Sequence, residues 1–417
     1  MQPALKQLTR IYLNVFVFVY ALYAYFNKGV AYAFLAEIML VFGVVLILFN
    51  LKNYVFIWNK PVKLVAFFIT ITGIWFLYGL GKYPLVELLQ DAFMFFYAFF
   101  IFIVFLFIVD FEGFKQKIFT LYKWYPLVVF CTFLLVSYIP FFQTFRLFGE
   151  IPLLMYKYGD MAIHLLITTL LLLCGHIKMS KRFLALNIII IAYLFLVIAA
   201  YNRAGMLSYL TGLFVFLFVY RKRFTGAAVF SYLKVIPFVL VIVLGSYINT
   251  KVDENFQGRK VGIEQLKQNI TSIFSTELDG SLSDNKVWRL AWWYKIFVDA
   301  LQPQNALIGK GVGGNLALVN DIQVENDSLR APHNFHLNIL ARFGFVFLFI
   351  WFWWIGMHMK NIRASNGNEF NVMVLVMMMA FLVNASFDVY LEGPMGAFPF
   401  WTWLGILYIN DSEVISI

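Results

Sequence analysis

The sequence predicts an all-α polytopic membrane protein with about twelve transmembrane helices and one large helical periplasmic loop. Of its 417 residues, 62% are hydrophobic, 49 are phenylalanine and only 13% are charged, whereas soluble domains are about half apolar. The apolar runs are also long, and 30–49 reaches the roughly 20 residues that cross a bilayer as a helix. A large soluble α/β enzyme is excluded, because buried strands give shorter apolar runs.

The hydropathy pattern places the predicted helices along the chain, and we treat 1–417 as a single integral membrane domain. The first apolar run follows Lys6 and Arg10 and precedes Ala31-Tyr32-Ala33, which is also the outline of a signal peptide. A first membrane span has the same outline, and we favour that interpretation. The predicted ranges are 11–27, 30–49, 62–80, 86–109, 125–142, 161–177, 183–200, 204–220, 230–249, 335–358, 371–390 and 395–410.

The distribution of basic residues predicts the orientation. Lysine and arginine accumulate in the cytoplasmic loops of membrane proteins. If the N-terminus is cytoplasmic, every inner connection carries lysine or arginine. The short outer loops then hold only Lys28, Lys82, Arg146, Lys157 and Arg203. Both termini are therefore predicted to be cytoplasmic.

The segment 250–334 between the ninth and tenth helices is the predicted large outer loop. It is far richer in charged residues than any other connection. A loop of this length without structure is unusual, so we expect helices packed on the outer face. Ser283 or Asp284 is a candidate cap for a helix that runs to about Leu301 and ends before Pro303. Its apolar side, which favours the membrane interface, is formed by Trp288, Trp292 and Ile296.

A glycine-rich stretch follows that helix. A spacing of this kind is weak evidence for phosphate binding, since no strand precedes it, and a turn is the favoured interpretation. The glycines are Gly309, Gly311, Gly313 and Gly314.

Charge and cysteine content exclude two other functions. The net charge of +10 lies in short clusters between spans, with no continuous basic face, so no nucleic-acid partner is expected. Cys131 and Cys174 both fall inside predicted spans, and no Cys/His spacing indicates a metal site.

The ionisable residues of the predicted spans lie towards the outer ends of their helices. Such residues are costly in a bilayer and are often functional. An ion-coupled transporter is expected to place some of them near the midplane, so this distribution favours chemistry at the outer interface. The residues are Glu37, Asp91, Asp160, His164, Arg203, Arg342 and Asp388.

His333 is a candidate general base. Pro332 suits the first position of a helix, which predicts His333 in the first turn of the tenth span and His336 one turn later. The positive end of a helix disfavours imidazolium and attracts anions, so a neutral imidazole is expected there. The alternative is that His333 and Asn334 only cap the helix.

Two arginines are candidates for binding an anion. Arg203 begins a span at a tight outer turn, and Arg289 lies on the predicted loop helix. Arginine binds phosphate bidentately and keeps its charge, so two or three converging on one cleft would hold a diphosphate without a metal. Alternatively, Arg203 reaches to lipid phosphates and Arg289 lies on a solvated face.

Around these residues, four segments resemble the O-antigen ligase and polymerase superfamily of bacterial envelope enzymes. The resemblance covers about 180 to 410, and the first half of the chain agrees only in hydropathy. Many members have serine or threonine where Asn202 stands. The segments are Asn202-Arg203-Ala204-Gly205; 287–292 with 307–311; 332–337 with Arg342-Phe343-Gly344-Phe345; and Ser386-Phe387-Asp388 with Gly393-Pro394.

The resemblance implies a glycan donor on undecaprenyl diphosphate, facing the periplasm at a bacterial inner membrane. An O-antigen ligase moves the glycan to a sugar hydroxyl of lipid A–core, in lipopolysaccharide or lipooligosaccharide biosynthesis. The implied transfer is inverting and needs no metal or cofactor. His333 would take the proton of the hydroxyl, and Arg203 and Arg289 would neutralise the departing diphosphate. The implied substrate-binding residues are Asn334, His336 (also a second candidate base), Arg330, Arg342 and Asp388.

Three alternatives stay open. A polymerase of the same superfamily would join lipid-linked repeat units, although the compact length and the Asp388–Pro394 segment favour the ligase. A flippase for lipid-linked oligosaccharides would need polar residues at mid-depth, of which the sequence has few. A structural partner in an envelope complex would scatter the outer arginines.

Overall fold

The computed structural model describes residues 3–31, 33–146, 152–220, 281–320, 322, 329–364 and 368–412. These ranges contain helices and no strand, so the all-α prediction is confirmed for the described chain. The predicted ninth helix, 230–249, lies outside the described residues. So do 250–280 and 323–328 of the predicted loop.

Sixteen α-helices occur in the described ranges, with a 3-10 turn at Ile108–Asp110. In chain order they are α1 Pro3–Ala31, α2 Leu35–Phe49, α3 Lys60–Gly79, α4 Leu85–Phe96, α5 Phe99–Phe105, α6 Phe111–Tyr138, α7 Pro140–Thr144, α8 Tyr158–Leu173, α9 Lys181–Tyr201, α10 Arg203–Val219, α11 Ser281–Ala300, α12 Pro303–Ala306, α13 Leu316–Val319, α14 Phe335–Ala364, α15 Glu369–Ala385 and α16 Pro394–Asn410.

Five of the described helices are long and apolar enough to cross a membrane, or six if the bent pair α4 and α5 is one span. α4 and α5 meet at 53°, so the predicted span 86–109 is broken. Tyr97 at the break donates a hydrogen bond to Glu37 of α2. Four further apolar helices, α2, α8, α10 and α15, are shorter. The chain is thus a multi-pass membrane protein, and a total of about twelve spans stays a prediction.

Helices α8, α10 and α15 pack on one another and support one end of the bundle. A Cβ at Gly205 would lie 3.0 Å from the Gly159 Cα, so glycine lets the first turn of α10 approach that of α8. Tyr158 and Tyr201 stack beside this contact with ring centroids 4.6 Å apart. The starts of α8 and α10 therefore lie side by side.

The glycine-rich stretch packs against a break in α14 and forms backbone hydrogen bonds with it. Gly344 has φ of 79°, so the backbone inside the helix is not helical at this residue. The Lys310 and Gly311 N–H groups donate to the Ala341 and Arg342 carbonyls just before it, at 3.0 and 2.8 Å. Gly309 and Gly311 both have positive φ, which confirms the turn.

The loop helix α11 differs from its prediction in two ways. It already includes Ser281, so Ser283 and Asp284 lie inside the helix and are not its first residues. Its apolar side faces protein rather than the membrane interface, because α13 and α14 cover it. Trp292 and Ile296 are buried there with Leu316 and Ala341.

Candidate active site

His333 lies just before α14. Its φ of 53° puts it in the left-handed region, and α14 begins at Phe335. The prediction that Pro332 opens the helix and that His333 lies in its first turn is therefore wrong. The Pro332 carbonyl instead accepts a hydrogen bond from Trp293 Nε1 at 2.8 Å, which ties this turn to α11.

Asn334 and His336 have structural partners. The Asn334 Oδ1 atom caps α14 by accepting from the His336 and Leu337 N–H groups at 3.0 and 3.1 Å. The His336 Nδ1 atom accepts from Trp351 Nε1 at 3.1 Å. Of the two histidines, only His333 has a charged neighbour among the described contacts.

That neighbour is Asp388, in the connection between α15 and α16. Its Oδ1 atom lies 3.6 Å from His333 Nδ1 and 2.9 Å from Lys157 Nζ. The side chains of His333, Asp388 and Lys157 are 25%, 14% and 18% exposed. The three groups therefore form a half-open charged cluster, which we call the Asp388 cluster.

Arg289 brings the loop helix to the Asp388 cluster. Its NH1 atom donates to the Phe387 carbonyl at 3.1 Å, while its Nε atom has no hydrogen-bond partner among the described residues. The neighbouring Trp288 ring meets the His333 ring edge-on, with centroids 6.1 Å apart. Arg289 thus lies beside His333 with a spare donor.

Charges set the protonation of the cluster. Burial alone would raise the pKa of Asp388, but the Lys157 charge and His333 outweigh it and hold the pKa well below its usual value. Burial would likewise lower the pKa of Lys157, yet Asp388 and Asp160 raise it. Asp388 is therefore an anion and Lys157 a cation at neutral pH.

Arg203 lies at the same end of the bundle. It opens α10, where the Asn202 Oδ1 atom caps the helix by accepting from the Gly205 N–H at 2.7 Å. The adjoining start of α8 follows directly on Lys157. Arg203 is half-buried, and its helix packs against α8, which begins directly after Lys157.

Arg330 and Arg342 belong to a second group of charges. Asp91 Oδ2 lies 2.7 Å from Arg342 NH1 and 3.5 Å from Arg330 NH2, and it accepts from the Gly313 N–H at 2.7 Å. Glu87 Oε2 lies 2.9 Å from Arg330 NH1. These two arginines therefore join α4 to the glycine-rich stretch and α14, and their charges are matched by carboxylates.

A family model described as O-antigen ligase matches residues 162–352. Over that range the chain is similar to the O-antigen ligase family. A search of curated proteins finds no match. The matched range contains Arg203, Arg289, His333 and Arg342, whereas Lys157 and Asp388 lie outside it. The Asp388 cluster thus combines residues inside and outside the matched range.

Two site residues were missed by sequence reasoning. Lys157 was counted only as an outer-loop lysine, and nothing in its local sequence separates it from Lys82. Glu392 was not among the residues that the sequence predicted for the site. Burial raises its pKa to about 7, although an Asn338 hydrogen bond and the Arg342 charge oppose the shift. Glu392 lies between Ser386 and Pro394, in one of the segments that resemble the family, and this position could have marked it as a candidate site residue. Among the described residues, no group of three or more His, Cys, Asp or Glu side chains could hold a metal.

Proposed function

We propose that this chain is an O-antigen ligase-type glycosyltransferase, which moves a glycan from undecaprenyl diphosphate to a sugar hydroxyl of lipid A–core. The observation that carries the proposal is the meeting of His333, Asp388 and Arg289 from three separate segments, in a chain with the matching family region. An active site for group transfer places a general base, the group that orients it and an anion-binding group within one cleft.

In the proposed reaction, His333 is the general base. Its Nδ1 atom faces Asp388, which leaves Nε2 to take the proton of the acceptor hydroxyl. The hydroxyl oxygen then attacks the anomeric carbon, and the bond from that carbon to the diphosphate breaks in the same displacement. The configuration at the carbon is inverted.

The diphosphate leaves with the electron pair of the broken bond. Arg289 would stabilise its charge through the Nε donor that has no partner among the described residues. Arg203, at the adjoining start of α10, is proposed as the second cation. The leaving diphosphate is acidic, so no carboxylic acid is needed to protonate it, in contrast to glycoside hydrolysis.

The test is complementation of a strain that lacks this protein, read as lipopolysaccharide banding. His333→Ala and Arg289→Ala are each expected to reduce glycan transfer by about 100-fold or more, because base catalysis and charge stabilisation each supply that much. His176→Ala, in the connection after α8, is the matched histidine control and should complement. Each variant must first be found in the membrane at the wild-type level.

The pattern of bands separates the alternatives. Loss of all capped core in the deletion strain supports ligation. A ladder that collapses to one repeat unit indicates a polymerase. Full banding with His333→Ala but none with His336→Gln would move the base to His336.

A further inference from the structure

The Asp388 Oδ1 atom has more neighbours than it can bind. It accepts from the Val389 N–H at 2.7 Å and from Lys157 Nζ at 2.9 Å. His333 Nδ1 also faces it, at 3.6 Å. A carboxylate oxygen has two lone-pair directions, and the first two donors occupy them. His333 is therefore left just beyond hydrogen-bonding distance.

This arrangement leaves His333 incompletely bound. Its Nδ1 atom is buried and has no hydrogen-bond partner among the described residues. An unpartnered buried nitrogen is unfavourable, and a base without an orienting bond is poorly placed for proton transfer. Removal of Lys157 from Oδ1 would free the position that His333 needs.

Lys157 is suited to such a movement. Its backbone is fixed, because the Lys157 N–H donates to Asn27 Oδ1 at 3.0 Å where α1 is kinked. Its side chain is a flexible four-carbon stem with a point charge, and it is 18% exposed. The charge can therefore move while its attachment point stays in place.

The surrounding charges favour an anion with more charge than one carboxylate. Lys28 lies close enough to act electrostatically on Lys157, and Arg289 contacts the residue before Asp388. A diphosphate carries about two negative charges and several acceptor oxygens. It is a stronger partner for Lys157 than Asp388 is.

We propose that Lys157 is shared between Asp388 and the donor's diphosphate. It holds Asp388 in the empty site, transfers to the diphosphate when the donor binds, and so releases Asp388 to accept the His333 Nδ1–H bond. The base is then oriented only when the lipid diphosphate is in place. This inference rests on the proposed function, and Lys157 acts on the base as a positioning residue.

The first experiment measures binding of undecaprenyl diphosphate, without glycan, to the purified full-length chain in detergent. Lys157→Met should weaken binding about tenfold, as expected for loss of a charge-assisted hydrogen bond. Lys157→Arg keeps the charge and should stay within about threefold of wild type. The matched control is Lys310→Met, which breaks another lysine–aspartate pair, with Asp299, and should bind as wild type does.

The second experiment separates sharing from simple repulsion. Asp388→Asn removes the competitor for Lys157, so binding should tighten by about three- to tenfold. In Lys157→Met/Asp388→Asn that gain should be lost, because no lysine remains to be released. An equal gain in both backgrounds would mean that Asp388 merely repels the diphosphate, and would overturn the inference.

The outcomes distinguish this inference from the proposed function. If wild type fails to bind undecaprenyl diphosphate, the proposed function falls, and the inference with it. If wild type binds and Lys157→Met binds equally well, only the inference is wrong. Size-exclusion profiles and thermal melts establish that each variant is folded, and Lys157→Gln, which also removes the charge, replaces Lys157→Met if the methionine variant does not fold.

Discussion

The residues around Asp388 in the candidate site come from distant parts of the sequence. Lys157, its closest cationic partner, is 231 residues away along the chain. His333 contributes from the turn before α14, and Arg289, on α11, donates to the carbonyl of the residue before Asp388. None of these residues is unusual in its local sequence, and the proposed catalytic arrangement arises only because the fold brings them together.

Replacing Asp388 tests the orienting role at the level of one side chain. Asp388→Asn should lower kcat for glycan transfer by about 100-fold or more, because the imidazole loses the group that selects its tautomer. KM for the donor should not rise, since the carboxylate does not bind the diphosphate. Steady-state kinetics with purified protein measure both constants, and an unchanged kcat would contradict the role.

Glu392 offers a pH-dependent test of stability. Its pKa is raised from 4.5 to about 7 by burial, so the folded protein disfavours the ionised form. The free energy of unfolding should therefore fall as the pH rises from 4.5 to about 7. Glu392→Gln has no carboxyl group to ionise, so its free energy of unfolding should not fall in this way. At pH 8 the variant should be more stable than wild type by about 1–3 kcal/mol, and at pH 5 the two should differ little.

Thermal melts in detergent at both pH values measure this effect. Glu112→Gln is the control, because the Glu112 side chain is 66% exposed and its replacement should behave alike at both pH values. A stability gain for Glu392→Gln that is equal at pH 5 and pH 8 would refute the account.

At the scale of elements, the break in α14 and the glycine-rich stretch depend on each other. Beside the break, the Ala341 and Arg342 carbonyls accept hydrogen bonds from the Lys310 and Gly311 N–H groups. The close approach requires glycine, because a Cβ at Gly309 would collide with the backbone of Arg342. This contact fixes the segment that holds Arg342 against Asp91.

Gly309→Ala should therefore destabilise the protein by about 2 kcal/mol or more, from the positive φ and the collision together. Gly73→Ala is a matched control in α3, where a Cβ would meet nothing within 4 Å. It should stabilise by about 0.5–1 kcal/mol through helix propensity. Denaturation in detergent compares the two, and equal melting temperatures would contradict the role of Gly309.

At the scale of the whole molecule, the charged clusters gather at one end of a helical membrane protein. The Asp388 cluster is formed by residues just before α8, just before α14 and between α15 and α16. The basic-residue distribution predicts that this end faces the periplasm, with both termini in the cytoplasm. The orientation decides whether a periplasmic substrate reaches His333.

Cysteine labelling tests the orientation. After removal of the two native cysteines, Lys82→Cys and Lys178→Cys place single thiols at exposed positions on opposite predicted sides. A membrane-impermeant maleimide should label Lys82→Cys in intact cells, and Lys178→Cys only after permeabilisation. The reverse pattern would invert the topology and exclude a periplasmic site.

The sequence and the structure agree on some features of the candidate site and differ on others for physical reasons. The sequence singled out His333, Arg289 and Asp388 through short local motifs, and the structure brings them together, while their roles stay predictions. The prediction that His333 lies in the first turn of α14 was wrong. Asn334 caps the helix, and His333, just before it, has a left-handed backbone conformation. Substrate binding by Arg330 and Arg342 stays a prediction, and in the structure both pair with Asp91 or Glu87, which are far away in sequence. Lys157 carries no local signal.

The sequence by itself determined the all-helical membrane class, because the length of apolar runs is a local property of the chain. It also determined the region that is similar to the O-antigen ligase family, because short motifs and their spacing can be read from the sequence. Tertiary structure alone decided which charges meet. Ion pairs such as Lys157–Asp388 and Asp91–Arg342 form between helices far apart in the chain. In a bundle this apolar, each buried charge needs a partner, and only helix packing determines which partner it meets.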